Sequence, residues 1–247
     1  MAATPNSSHG SAMIARISGA AAFLFILFLS SHHALAQADL ALVLAVDVSS
    51  SINDERFKLQ REGIAEGLES KEILDAIASG PRQTIELAVV EWSEDQSVLV
   101  DWTIVRNRAD MDSVLAALRT KPRPRVGYRT NVGGGIGKAI ALFDSAPLVP
   151  ERKVVDVSGD GEQNHGKLKA EQVRDAAVAK DITINGLPIT SGEEPEVDRW
   201  YESHVVGGDG AFMIVANGYA GFSDAMRKKL ALEVAGVSPT IRLGALE

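Results

Sequence analysis

Five oxygen-bearing side chains stand out by type and spacing. Asp47, Ser49 and Ser51 close the apolar run Leu40–Val46 as Asp-x-Ser-x-Ser. Thr130 stands just ahead of a helical pattern that starts at Val132, and Asp160 follows a second apolar run, 153–158, in the sequence Gly-Asp-Gly. Carboxylates and hydroxyls are hard donors that suit Mg²⁺ or Mn²⁺ better than a soft metal. Mg²⁺ gives up its water reluctantly, and a set rich in neutral hydroxyls leaves the ion under-neutralised. Such a site keeps a water position that an outside carboxylate can take. The competing reading of Ser49–Ser51, taken alone, is that they only cap the next helix.

These residues need elements that bring them together. An unbroken Val- and Leu-rich run suits a strand buried on both faces. In open α/β sheets, ligands bind at the carboxyl edge, where the strand order reverses. After the Asp47 strand, Asn53-Asp54-Glu55 open a helix, acids being favoured in its first turn. Phe57, Ile64 and Leu68 recur at helical spacing, and Gly63 and Gly67 are expected to allow close approach to the sheet. Another helical turn or two is expected over 71–78. Ile85–Trp92 and Ser97–Thr103 read as strands joined by a short turn, hence antiparallel. A helix over Asp110–Leu118 precedes Lys121-Pro-Arg-Pro-Arg125, expected to be a solvated basic loop. Thr130 or Asn131 caps the helix carrying Val132, Ile136, Ala139, Ile140 and Phe143. A strand over 153–158, a helix near Leu168–Ala179, a strand over Ile182–Ile189, a helix over Glu194–Val205, a short strand over Phe212–Ala216 and a last helix over Gly221–Ala235 complete the pattern. The alternation predicts an α/β fold: a doubly wound, mostly parallel central sheet with one antiparallel edge strand and helices on both faces. Its first and fourth strands flank the switch point, so the Asp47 and Asp160 loops should meet there.

The bulk properties narrow the function. Arg16, the apolar stretch Ala20–Leu29 and Ala34-Leu35-Ala36 have the layout of a secretory signal peptide, with cleavage expected after Ala36. Residues 1–36 are then a leader and 37–247 one domain, periplasmic or secreted. The leader holds one basic residue of 25 and none of the 33 acids, so the mature net charge is 24 − 33 = −9. That disfavours nucleic acid and anionic membrane surfaces as partners. The absence of cysteine excludes disulfides, zinc-thiolate sites and thiol catalysis.

Several motifs look chemical and fail on detail. Gly133-Gly-Gly-Ile-Gly137-Lys138-Ala139 is one residue short of a phosphate loop and lacks its Ser or Thr. Asp156-x-Ser158-x-Asp160-Gly161 resembles a calcium-hand loop, but Lys167 occupies the position of the bidentate Glu. Asp156 then reads as a strand residue with a local partner. His165 and His204 are the two histidines of the mature chain. Ser158 and His165 lack a nucleophile elbow, so both histidines read as surface or structural. Trp200-Tyr201 reads as packing.

Asp47-x-Ser49-x-Ser51, a later Thr130 and Asp160-Gly161 after a strand together resemble the metal-ion-dependent adhesion site of von Willebrand factor A domains. The order of elements fits such a domain over nearly the whole mature chain. Glu91-Trp92-Ser93, Asp156-Val-Ser-Gly-Asp160-Gly and Thr183-Ile-Asn-Gly-Leu-Pro188-Ile also resemble a bacterial group of secreted A-domain proteins classed as a domain of unknown function. The resemblance implies direct hydroxyl ligation by Ser49, Ser51 and Thr130, with Asp47 and Asp160 acting partly through coordinated water. Arg129 stands where such domains more usually have Gly, either obstructing the site or holding an anion. The function expected is non-enzymatic: binding of Mg²⁺ or Mn²⁺ and, through it, a carboxylate of a protein ligand. The competing classes are a metal-assisted hydrolase in the same crevice, for which no general base stands beside the ligands, and a metal-independent structural module.

Overall fold

A computed structural model describes residues 36–192 and 194–239. Residues 1–35 of the predicted leader lie outside the described residues. The six strands are β1 (Gln37–Asp47), β2 (Ile85–Trp92), β3 (Gln96–Val105), β4 (Val149–Gly159), β5 (Ile182–Thr190) and β6 (Ala216–Asn217), in spatial order β3-β2-β1-β4-β5-β6. β2 and β3 pair antiparallel, and every other pairing is parallel. The chain builds outward from β1 to β3, then returns to the other flank of β1 with β4. The switch point therefore falls between β1 and β4, where Val46 pairs with Ser158.

The apolar run of β1 is buried on both faces because helices cover both. Leu40, Leu42, Leu44 and Val46 meet α1 (Asp54–Leu68), α2 (Lys71–Ser79), α3 (Arg108–Thr120) and α7 (Phe222–Ala235). Val43 and Ala45 face the other side, with Val90 and Trp92, under α4 (Val132–Leu142), α5 (Ala170–Val178) and α6 (Val197–His204). Period-two alternation thus divides one hydrophobic stretch between two cores.

Three expectations need correction. Gly63 and Gly67 of α1 do not approach the sheet. A Cβ on Gly63 would stand 2.9 Å from Phe222 Cδ1, and one on Gly67 3.0 Å from Leu230 Cδ1, both on α7. The glycines let two helices of one layer pack closely. The strand expected over Phe212–Ala216 shrinks to β6 and a single bridge at Met213. The Phe212 amide is taken by the Asn185 side chain at 3.0 Å, which breaks the ladder there. The Lys121–Arg125 loop is only partly solvated, because Lys121 donates to the Leu99 carbonyl at 2.6 Å and Arg123 to the loop after β1. The glycine run before Lys138 has a packing reason as well: a Cβ on Gly135 would meet Trp92 Cγ at 2.6 Å.

Candidate metal-ion site

Asp47 ends β1 fully buried, and Ser49 (1%), Asp160 (3%) and Thr130 (6%) are nearly so, whereas Ser51 is exposed. The Ser49 amide donates to Asp47 Oδ1 at 2.7 Å, folding the loop back on its own carboxylate. The Ser49 and Ser51 hydroxyls lie 3.1 Å apart, and Ser51 Oγ donates to Asp160 Oδ1 at 2.6 Å. The loops after β1 and β4 therefore meet side chain to side chain. The helix that follows is capped by Asn53, whose side chain accepts from the Arg56 amide at 2.9 Å. The serine hydroxyls are not the cap, so the bland reading of them fails.

Thr130 reaches the same place by backbone ties. Its carbonyl accepts the amides of Asn164 and His165, both at 3.0 Å, and its amide donates to Asn164 Oδ1 at 2.9 Å. The Ser50 amide donates to the Tyr128 carbonyl at 2.9 Å, and Ser93 Oγ to the Arg129 carbonyl at 2.8 Å. All three predicted loops are thereby pinned to one another. Asn131, not Thr130, caps α4 by accepting from the Gly134 amide, and the Thr130 hydroxyl accepts instead from Asn164 Nδ2 at 3.4 Å. Ser51, Thr130 and Asp160, with Tyr128, Arg129 and Glu194, line a cavity of about 220 Å³. Tyr128, 76% exposed, stands at its rim.

The electrostatics are unusual for a closed core. Asp47 Oδ2 is buried with no hydrogen-bond partner. Burial, with the Asp160 charge adding to it, pushes the Asp47 carboxyl up to about 7. Gly159 makes this crowding possible: a Cβ there would lie 2.6 Å from the Tyr201 hydroxyl and 2.9 Å from Asp47 Oδ2. Asp160 Oδ2 accepts from the Tyr219 hydroxyl at 2.8 Å and lies 3.7 Å from Arg56 Nη1. Arg56 also donates to the Ser51 carbonyl at 2.8 Å and lies over the Tyr219 ring, 5.1 Å from its centroid. Arg123 donates to the carbonyls of Val48 and Ser49 at 2.7 and 2.9 Å. Arg56, Arg123, Asn164 and Tyr219 escaped the sequence reading, since none carries a spacing signal relative to the motif.

The remaining predicted residues also find places. Arg129 pairs with Glu94, which holds that carboxyl below its ordinary value, so the Arg129 charge is engaged rather than free. Glu91 receives a bidentate Arg61 from α1, with both contacts at 2.8 Å. Asp156 pairs with Lys229 of α7 at 2.8 Å, a partner distant in sequence. The Ser158 hydroxyl is buried without a hydrogen bond, which leaves no hydrolytic triad with His165. His204 stacks on Trp200 at 4.9 Å, and Tyr201 is fully buried. Among the described residues no group of three or more His, Cys, Asp or Glu is placed to hold a metal. The site has two carboxylates, so any cation there would need hydroxyls for its other protein ligands.

Solved structures share this fold. Proximal thread matrix protein 1 of the mussel byssus, solved with a zinc-occupied MIDAS motif, matches at TM-score 0.57 and 18% identity over 81% of this chain and 48% of that one. A von Willebrand factor type A protein from Catenulispora acidiphila matches at TM-score 0.56 and 15% identity over 80% of this chain and 43% of that one. The von Willebrand domain of the type V pili tip protein Mfa5 from Porphyromonas gingivalis matches at TM-score 0.58 and 10% identity, over 81% of this chain and 96% of that domain. This chain spans about half the length of the mussel protein. The fold is that of a von Willebrand factor A domain. Residues 37–238 match the family described as "protein of unknown function (DUF1194)", and the chain belongs to that family. No curated protein matches the sequence.

Proposed function

We propose that the protein is an exported A-domain module that holds a divalent cation, Mg²⁺ or Mn²⁺, through Asp47, Ser49, Ser51, Thr130 and Asp160. Through that cation it binds an acidic residue of a protein partner. One observation carries the reading: Asp47 Oδ2 is buried and unpartnered, and its loop is tied through Ser49 and Ser51 to Asp160, which lines the cavity with Ser51 and Thr130. A buried carboxylate without a partner is costly, and a hard cation offsets that cost. When bound, the ion supplies a Lewis-acidic position for an incoming carboxylate. The chain's own part is to orient its oxygens. Asp47 takes the Ser49 amide, Tyr219 and Arg56 hold Asp160, and Asn164 holds the Thr130 backbone. The N-terminus of α4 begins just after Thr130, and its dipole favours an anion nearby. The zinc-occupied motif belongs to the mussel protein; the all-oxygen donor set here favours Mg²⁺ or Mn²⁺.

Two measurements test this. Mg²⁺ or Mn²⁺ should stabilise the wild type by mass action, by about 2.7 kcal/mol at a hundredfold excess over Kd, and so raise its melting temperature. Asp47→Ala should stay folded and lose that gain. A partner captured from envelope extract should be released by EDTA and by Asp160→Ala or Thr130→Ala. Equal thermal gain in Asp47→Ala moves the metal elsewhere, and capture that survives EDTA removes the carboxylate bridge.

A further inference from the structure

A second cavity, of about 410 Å³, opens between α1 and the turn that follows α3, and none of the proposed cation ligands lines it. Its volume falls in the range of small-molecule pockets. Phe57 of α1, Leu118 of α3 and Pro122 give it apolar surface, and the methylene stems of Lys58 and Lys121 add to that surface. The wall is fixed from behind. Arg61 is buried with its carboxylate partner Glu91, and its other donors hold the turn. Arg61 Nη1 donates to the carbonyls of Leu118 and Lys121 at 3.1 and 2.6 Å, and Nη2 to that of Pro122 at 3.4 Å. Arg123 ties the far end of the turn to the carbonyls of Val48 and Ser49. The guanidinium carbons of Arg61 and Arg123 lie 4.5 and 5.3 Å from the centroid of the Phe57 ring. A pocket held in this way has little left to order when a ligand arrives, which favours binding.

The charge here runs against that of the chain. The sequence carries a formal net charge of −8, yet five basic residues and two acids line this pocket. Both acids are engaged: Glu62 takes Arg119 at 2.7 Å, and Asp54 lies 3.6 Å from Arg123 Nη1. Arg61 is neutralised by Glu91. Two ammoniums are left without a carboxylate. Lys121 is exposed and uses one N–H on the Leu99 carbonyl. Lys58 is exposed, and among the described residues it takes part in no hydrogen bond or ion pair. Unlike the buried Arg61, both stand in solvent, where a ligand in the pocket can meet them. Apolar surface beside two uncompensated ammoniums complements an anion carried on an apolar stem. A bare anion would leave the apolar surface wet, and a neutral apolar ligand would leave the ammoniums unpaired.

We propose that this pocket binds a small amphipathic anion, a carboxylate on a linear apolar stem. Its carboxylate pairs with the Lys58 ammonium in the field of Lys121, and its stem lies against Phe57, Leu118 and Pro122. The probe is octanoate, titrated into the full mature protein by calorimetry at pH 7.5 without added divalent cation, so the outcome does not depend on the cation site. Octanol controls for the charge and acetate for the stem. Wild type should bind one equivalent of octanoate saturably, and more weakly as salt is raised. Neither control should bind at the same concentrations. Lys58→Glu alters an exposed side chain that has no partner, so the variant should stay folded. It should weaken binding by about tenfold or more, the loss of one charge-assisted contact. No saturable binding to wild type, binding of octanol or acetate with the affinity of octanoate, or undiminished binding to a folded Lys58→Glu overturns the proposal. Self-association of the wild type in sedimentation that Lys58→Glu dissolves also overturns it, because the pocket would then belong to a second copy of the chain. If Lys58→Glu does not fold, the octanol and acetate comparisons decide.

Discussion

Asp160 is the most firmly held side chain of the candidate site. One of its oxygens takes the Ser51 hydroxyl, and the other takes the Tyr219 hydroxyl with Arg56 nearby. A carboxylate so held presents a fixed direction to a cation, whereas a free one samples several rotamers. Tyr219→Phe removes the hydroxyl and keeps the ring that packs under Arg56. Outer partners of metal ligands typically matter by 10–100-fold in affinity. Tyr219→Phe should therefore weaken Mn²⁺ binding by about tenfold, measured by calorimetry, with little change in thermal stability in chelator. Unchanged affinity would mean that Arg56 alone orients Asp160.

At the scale of elements, the site depends on how α1 is seated. This helix carries Arg56 toward Asp160 and Arg61 into Glu91 at the end of β2. It is held at its side by α7, whose Phe222 and Leu230 fill the space beside Gly63 and Gly67. Gly63→Val pushes a branched side chain against the Phe222 ring and the Ser223 backbone, 2.9 and 3.1 Å from an ideal Cβ. Overpacking of this kind typically costs about 1–3 kcal/mol. Chemical denaturation should show a lower midpoint with an unchanged slope. Because α1 and α7 carry Arg56 and follow Tyr219 respectively, metal affinity should fall with it. A variant as stable as wild type would mean the two helices can separate without cost.

For the whole molecule, buried carboxyls set the pH response. Asp47, Glu86, Glu91 and Glu233 all have their carboxyls pushed up, first of all by burial. The folded state then keeps protons that the unfolded chain releases at ordinary carboxyl values, so the unfolded state binds fewer protons as pH rises. In chelator, stability present below about 4 should be lost as pH rises through the raised value of about 7 for Asp47. Glu69 and Glu94, held low by arginines, act in the opposite sense at more acid pH. Urea denaturation at pH 5 and pH 7.5 checks this, and greater stability at pH 7.5 would contradict it. The proposed export is a second question for the whole chain. Among the described residues no helix is long and apolar enough to cross a membrane, and β1 starts at Gln37, where cleavage is expected. N-terminal sequencing of the exported protein should begin at Gln37; a retained leader would make it membrane-tethered.

The amino-acid sequence by itself determined what adjacency and periodicity can carry. The buried Leu40–Val46 run, the alternation of strands and helices, and the Asp47-x-Ser49-x-Ser51 loop at a strand end are all local patterns. The switch point between β1 and β4 followed from element order. Tertiary structure alone decided which distant side chains complete the site. Tyr219 lies 59 residues from Asp160, and Arg123 lies 74 from Ser49, the carbonyl it holds. No period links such pairs, because each depends on where a helix or loop docks against the sheet. The same holds for Gly63 and Gly67, whose small size is a local fact but whose neighbour, α7 rather than the sheet, is set by how the outer layer packs. It holds also for Lys229, Asp156 and Glu233. Asp156 reads from the sequence as a strand residue, but that Lys229 and Glu233 are buried with it is decided only when the fold closes over them and excludes the water that would have screened them.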